Sequence, residues 1–233
     1  MKFPAPLIRG TLIQRYKRFL SDVTLEDGSE ITAHVANPGS MMGMKDPGMT
    51  VWLSPAQNPK RKLQYSWELA DVGGTLVNVN TGHPNRVAEE GILDGAIPEL
   101  AGYDDLRREV KYGEKSRIDI LLSKGEDQPL CYVEVKSVTL KRDQHAEFPD
   151  AVTARGTKHL GELSNMVRQG HRAVMLYLVQ RGDCGTFSIA GDIDPAYETA
   201  LHDAIAAGVE ILCYGCDVST DGIFVAKPLK LAI

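Results

Sequence analysis

Along the first third of the chain, apolar and polar residues alternate in short runs broken by Gly, Pro and Asn, at 7–13, 18–25, 30–35, 50–53, 67–72 and 75–79. A period of two turns one side of each run toward a core, so these runs predict strands. Asp27-Gly28 sits between two of them and predicts a hairpin turn. Five or so short strands with no helical periodicity among them predict a small barrel of the oligonucleotide-binding kind.

The pattern changes at Asn85. Residues 85–93 place Val87, Gly91 and Ile92 on one side of a helix. Strands are predicted at 106–110, 117–122 and 131–135. A helix capped by Asp150 runs to about Gln169, and an apolar strand follows at 173–180. The helix between the last two strands predicts a crossover to a parallel neighbour, while 117–122 and 131–135 are close enough to pair as an antiparallel hairpin. A helix at 194–207 and a strand at 209–214 complete the order. The chain therefore reads as α+β, with a β-barrel domain over 1–82 and an α/β domain over 83–233.

Composition narrows the class. With 43% hydrophobic residues in 233, the chain can bury a sizeable core. Its most apolar stretch, 173–179, is far short of the roughly 20 residues a membrane helix needs, and residues 1–6 lack a signal-peptide apolar region, which predicts a cytoplasmic protein with no membrane partner. The four cysteines, 131, 184, 213 and 216, are too few and too scattered for a disulfide framework. Cys213 and Cys216 have zinc-like spacing, but no second pair accompanies them and His202 is the only nearby fourth-ligand type, so they read as reduced thiols. The net charge of −5 excludes a surface coated in basic residues. Residues 1–82 nonetheless carry 9 Lys and Arg against 7 Asp and Glu, so the basic character lies at the front.

The chemistry concentrates between Ser116 and Ser137. Glu134 and Lys136 share one side of a strand, and Asp119 lies in an apolar run, Ile118-Asp119-Ile120-Leu121-Leu122, on the strand before. Paired as a hairpin with residues 123–129 as its loop, the two strands bring Asp119 beside Glu134. Carboxylates about 4 Å apart repel by roughly 4 kcal/mol at an effective dielectric of about 20. Either one is protonated or a cation lies between them, and hard oxygen ligands suit Mg²⁺ or Mn²⁺. Lys136 at the edge of such a site would orient water and neutralise charge on a phosphorane-like transition state. A surface salt bridge is the plainer account of Glu-Val-Lys taken alone.

Basic residues fall into two groups. Lys60, Arg61 and Lys62, followed by Tyr65 and Trp67, combine phosphate-binding charge with stacking surface, and Arg9, Arg15, Lys17 and Arg18 extend that patch. Arg155, Lys158, His159 and Glu162 recur at helical spacing, where Arg155 and Lys158 are placed to grip phosphate. A solvated polar surface is the competing account of both groups.

Ser116-Arg117-Ile118-Asp119, residues 132–140 (Tyr-Val-Glu-Val-Lys-Ser-Val-Thr-Leu), Phe148-Pro149-Asp150-Ala151-Val152-Thr153, Arg155-Gly156 and Lys158-His159-Leu160 together resemble the sugar fermentation stimulation protein A family. The resemblance extends to residues 58–62, Val79-Asn80-Thr81 and Glu109-Val110-Lys111-Tyr112-Gly113, and so covers nearly the whole chain. It implies an N-terminal oligonucleotide-binding-like barrel, a C-terminal domain similar to the PD-(D/E)xK nucleases, and binding to DNA. Carried over, Asp119 and Glu134 become metal ligands for Mg²⁺ or Mn²⁺, Lys136 the catalytic lysine, and Glu90 the additional acid some of these nucleases use. Ile118 stands where the name-giving proline would be, and Ala36 precedes Asn37-Pro38-Gly39-Ser40 where proline is expected.

The expected function is sequence-nonspecific DNA binding with a nuclease-type site that hydrolyses phosphodiesters. The alternative is a noncatalytic DNA-binding regulator of maltose-type sugar metabolism with a vestigial site. RNA is a second candidate polymer, and the oligomeric state is left open, a homodimer included.

Overall fold

The computed structural model describes residues 1–113 and 116–233. Six strands form the N-terminal part: β1 (Ile8–Tyr16), β2 (Leu20–Leu25), β3 (Glu30–Val35), β4 (Thr50–Pro55), β5 (Tyr65–Val72) and β6 (Thr75–Asn78). They lie in the order β3-β2-β1-β4-β5-β6, and a parallel pairing of β3 with β5 closes five of them into a barrel. Alternation does the local work: Gly10 and Leu12 of β1 and Ser21 and Val23 of β2 point inward, while Arg9 and Thr11 point out. Gly10 is needed because a Cβ there would lie 2.5 Å from Val23 Cγ1. The Asp27-Gly28 turn forms as the sequence predicts, between β2 and β3 paired antiparallel from Thr24↔Glu30, with Gly28 at φ 83°.

Two expectations for this part are corrected. The second strand begins at Leu20 rather than residue 18, because Lys17 and Arg18 both take positive φ (45° and 65°) to turn the chain. Trp67 offers no stacking surface; it is fully buried in the barrel, where its indole N–H donates to the Leu69 carbonyl at 2.8 Å. β5 is buried along both sides, since one lines the barrel and the other meets the second domain through Leu69.

The C-terminal part runs α1 (Pro84–Leu93), a 3₁₀ turn (Pro98–Leu100), β7 (Asp105–Tyr112), β8 (Ser116–Ser123), β9 (Cys131–Val138), β10 (Leu140–Arg142), β11 (His145–Phe148), α2 (Ala154–Arg168), β12 (Arg172–Val179), β13 (Thr186–Ile189), α3 (Pro195–Ala206), β14 (Glu210–Val218), β15 (Ile223–Pro228) and β16 (Lys230–Ala232). Its main sheet has the order β15-β14-β12-β9-β8-β7. β7, β8 and β9 pair antiparallel and β9 and β12 pair parallel through a helical crossover, as the sequence order predicts, and β14 extends the parallel part beyond β12. α2 and α3 cover one side of the sheet, and α1 with the barrel covers the other. β12 is consequently buried on both sides, which explains its unbroken apolar run.

The second helix starts later than its sequence suggests. Its N-cap is Thr153, whose hydroxyl accepts from the Gly156 N–H at 3.1 Å, and Asp150 lies outside the helix. A second sheet, β10-β11-β13-β16, escapes sequence reading because its strands are only three or four residues long. Cys213 and Cys216 are both buried and free, in the cores on opposite sides of the sheet, so they cannot close on one ion. Among the described residues, no helix is long and apolar enough to cross a membrane.

Candidate metal and nucleic-acid site

The register Ile120↔Val133 of β8 and β9 places Asp119 opposite Glu134, one step past the last ladder pair. There the sheet opens, and the Val135 N–H donates to Asp119 Oδ2 at 2.8 Å. Asn85, in the first turn of α1, donates from Nδ2 to Asp119 Oδ1 at 2.8 Å. Burial, then the nearby charge of Glu134, raise Asp119 above the ordinary carboxylate value, against the pull of these two donors.

Glu134 points to the side of the sheet covered by α2. Its Oε1 accepts from Lys136 Nζ at 2.7 Å and from His159 Nδ1. Burial again favours the neutral form, but the His159 hydrogen bond and the charge of Lys136 together outweigh it and hold Glu134 below its ordinary value. Arg155 Nε donates to His159 Nε2 at 3.4 Å, which leaves the single ring proton of a neutral His159 on Nδ1, facing Glu134. The 3.3 Å approach of Lys136 Nζ to Nδ1 is then two donors meeting at a shared acceptor. Glu134 Oε2 is buried and has no hydrogen-bond partner among the described residues.

These groups form the floor of a cleft of about 690 Å³ between the two domains. Arg18 and the loop Asn37-Pro38-Gly39 make the barrel wall; the segment from Pro149 to Arg155 makes the other. The loop is fastened from both ends. Arg15 donates to the carbonyls of Arg18 (2.8 Å), Asn37 (2.8 Å) and Gly39 (3.2 Å). Asp150 Oδ2 accepts from the N–H of Ser40 (3.1 Å) and of Met41 (3.3 Å) and from the Ser40 hydroxyl (3.1 Å).

Of the residues singled out in the sequence, Asp119, Glu134, Lys136, Arg18, Arg155 and His159 converge on this cleft. The others lie elsewhere. Glu90 is a correction: five residues beyond Asn85 on α1, it pairs with the Met1 ammonium at 2.7 Å and with Arg86 at 2.9 Å, outside the cleft lining. Arg15 holds the loop, so its guanidinium is committed. Arg9 lies off the cleft near Glu26 (3.7 Å) and Thr50 (3.5 Å). Lys60 and Lys62 are exposed on the loop between β4 and β5, where Arg61 donates to the Ser66 hydroxyl, and none of the three lines the cleft. Lys158 contacts the Ser116 hydroxyl (3.2 Å) and Glu162 (3.4 Å) outside the lining. Asn85, Glu109 and Asp150 were not legible as site residues; their signals were the first turn of a predicted helix, the Glu109-Val110-Lys111 motif and the Phe148-Pro149-Asp150 motif.

The donor set fits a hard divalent cation in chemistry: two carboxylates, one raised by burial and by its neighbour's charge, and a buried orphan oxygen on the other. Among the described residues, no three His, Cys, Asp or Glu side chains are gathered closely enough to hold an ion as they stand.

Known proteins share this architecture. Residues 13–79 match the family described as the SfsA N-terminal OB domain, and residues 82–222 the one described as the sugar fermentation stimulation protein RE domain. A sugar fermentation stimulation protein homolog of Paramagnetospirillum magneticum is 59% identical over 231 residues, covering 99% of this chain and 98% of the relative. Another, of Rhodospirillum rubrum, is 57% identical over 242 residues, covering 99% of each. The structure of Pyrococcus furiosus SfsA in complex with Ca²⁺ superposes with a TM-score of 0.90 at 27% identity, over 100% of this chain and 98% of that one. With an oligonucleotide-binding barrel, an α/β domain and relatives this similar along their full length, the chain belongs to the sugar fermentation stimulation protein family.

Proposed function

We propose that this protein binds DNA without sequence specificity and hydrolyses phosphodiesters at a divalent-metal site of the PD-(D/E)xK type, with Mg²⁺ or Mn²⁺ as its ion. The observation that carries this reading is the cleft, where two carboxylates and Lys136 lie on the floor beneath Arg18 of the barrel and Arg155 of α2. A phosphodiester is anionic, and a barrel guanidinium facing a helix guanidinium is suited to hold it over the acids. Ca²⁺ in the P. furiosus relative adds support for a divalent ion.

Asp119 and Glu134 would hold the ion, which when bound polarises the phosphoryl oxygen and lowers the pKa of water. Lys136, tied to Glu134, keeps a positive charge at the site where the transition state gains negative charge. His159 orients Glu134, and Asn85 and the Val135 N–H orient Asp119.

The purified chain, incubated with Mg²⁺ or Mn²⁺ and single-stranded, duplex and structured DNA and RNA, is expected to cut at least one of them. Lys136→Ala should abolish cutting and leave binding intact. If every substrate stays whole, the hydrolytic reading is dropped.

A second reading, a noncatalytic DNA-binding regulator of sugar metabolism, is favoured by one observation: Lys136 and His159 already satisfy Glu134 Oε1 as a closed polar cluster. It expects salt-dependent DNA binding that needs no metal. Metal-dependent turnover removed by Asp119→Asn would count against it.

A further inference from the structure

Three acids stand in one line across the main sheet. The pairs Arg108↔Ile120 and Val110↔Ile118 place Glu109 of β7 opposite Asp119, and Ile120↔Val133 places Asp119 opposite Glu134. The ladder skips Glu109 and Asp119 themselves. Glu109 has φ 55°, a left-handed conformation that a non-glycine residue adopts only at an energetic cost. That break sets its side chain in the wall of the cleft.

Asn85 ties the line together. Its Nδ2 donates to Asp119 Oδ1 at 2.8 Å and lies 3.5 Å from Glu109 Oε1, so one neutral amide sits between two carboxylates. Glu134 is the third acid, and its Oε2 is buried without a partner among the described residues. An orphaned buried carboxylate oxygen calls for a cation or a donor, and none of the described side chains supplies one. Glu109 is the least committed of the three: it is exposed, and among the described residues its carboxylate has only the long contact to Asn85.

We propose that Glu109 is a third carboxylate of the divalent-cation site, moving onto an ion shared with Asp119 and Glu134, with Asn85 as the positioning residue that keeps Glu109 and Asp119 within reach. This rests on the metal reading of Asp119 and Glu134 given above. A competing role exists for the break itself, because β7 is an edge strand and irregular edges discourage unwanted pairing. That role needs the backbone conformation and not the acid, so the acid can be tested apart from it.

Mn²⁺ titrated calorimetrically into the full chain, without nucleic acid, reads the site independently of turnover. Glu109→Gln is expected to bind Mn²⁺ at least about tenfold more weakly than the unaltered chain, with an unchanged thermal midpoint in chelator. Glu109→Asp should lie between the two. If Glu109→Gln binds within about twofold of the unaltered chain while Asp119→Asn does not, Glu109 is no ligand and the two-acid site stands. If both Glu109 variants lose affinity and thermal midpoint together, a damaged strand explains the loss and the assignment is overturned. If the unaltered chain takes up no Mn²⁺, the metal reading of Asp119 and Glu134 fails, and this one with it.

Discussion

Asp150 of the α/β domain and Ser40 of the barrel are joined twice over: the Ser40 hydroxyl donates to the Asp150 carbonyl at 3.0 Å and to its Oδ2 at 3.1 Å, and the Ser40 N–H donates to the same Oδ2. This junction sets the width of the cleft, because it fixes the barrel loop that carries Gly39 against the wall leading into α2. Gly39 sits so close that a Cβ would lie 2.8 Å from Asp150 Oδ2. Asp150→Ala should therefore cost about 2 kcal/mol, because charged hydrogen bonds disappear and loop N–H groups are left without a partner. In a chain of this length that lowers the thermal midpoint by roughly 4 to 8 °C. Gly39→Ala should cost about 1 to 3 kcal/mol by crowding the carboxylate, and much less when combined with Asp150→Ala. Calorimetric melting of the two single variants and the double variant measures that coupling. Strictly additive losses would show that the two residues do not meet in solution.

The acid pair supplies a prediction in pH. Asp119 is raised above its ordinary value of 3.8, so the folded chain holds that proton more tightly than the unfolded one. Its contribution to stability is complete below the unfolded value and is lost as pH rises through the folded one. Glu134 is lowered from 4.5, and its contribution has the opposite sense: present above the unfolded value, lost as pH falls through the folded one. The two titrate as a coupled pair. In metal-free Glu134→Gln, the Asp119 carboxyl should titrate lower than in the unaltered chain, because the charge of Glu134 no longer adds to burial in raising it. Carbon-13 NMR of the aspartate carboxyls follows it directly. An unmoved Asp119 midpoint would mean that Glu134 does not act on it electrostatically.

Strand alternation and helical spacing are local properties, and they made most of the fold legible: the Asp27-Gly28 turn, the parallel placement of β9 and β12, and the hairpin that brings Asp119 beside Glu134 all follow from patterns of two or 3.6 residues. What failed depended on contacts remote in sequence. Asp150 looks like a helix cap because acids before an apolar helical run usually are, but Ser40, 110 residues away, takes its carboxylate and Thr153 caps instead. Glu90 has the right helix for an additional acid, yet the terminal ammonium of Met1 draws it to another side. Trp67 follows a basic loop, as a stacking residue would, but its strand is covered on both sides. Glu109 was hidden for a different reason: no sequence period signals a strand residue at positive φ.

If the cleft is where the polymer lies, the basic residues on its walls should govern DNA affinity and those elsewhere should not. Arg18 and Arg155 line it, whereas Lys60 and Lys62 are exposed on the loop between β4 and β5. A cation that neutralises one phosphate releases about one counterion, so Arg18→Ala and Arg155→Ala should each weaken binding equally across sequences. Each should also flatten the slope of log affinity against log salt by about 1. Lys60→Ala and Lys62→Ala should leave that slope nearly unchanged. Fluorescence anisotropy with one labelled oligonucleotide at several salt concentrations, in chelator so that no cutting intervenes, measures all four. The reverse ranking, with the loop lysines setting the slope and the cleft arginines silent, would move the DNA path onto the outer surface of the barrel. The acids at the cleft floor would then lie off the polymer, and their nuclease role would lose its geometric basis.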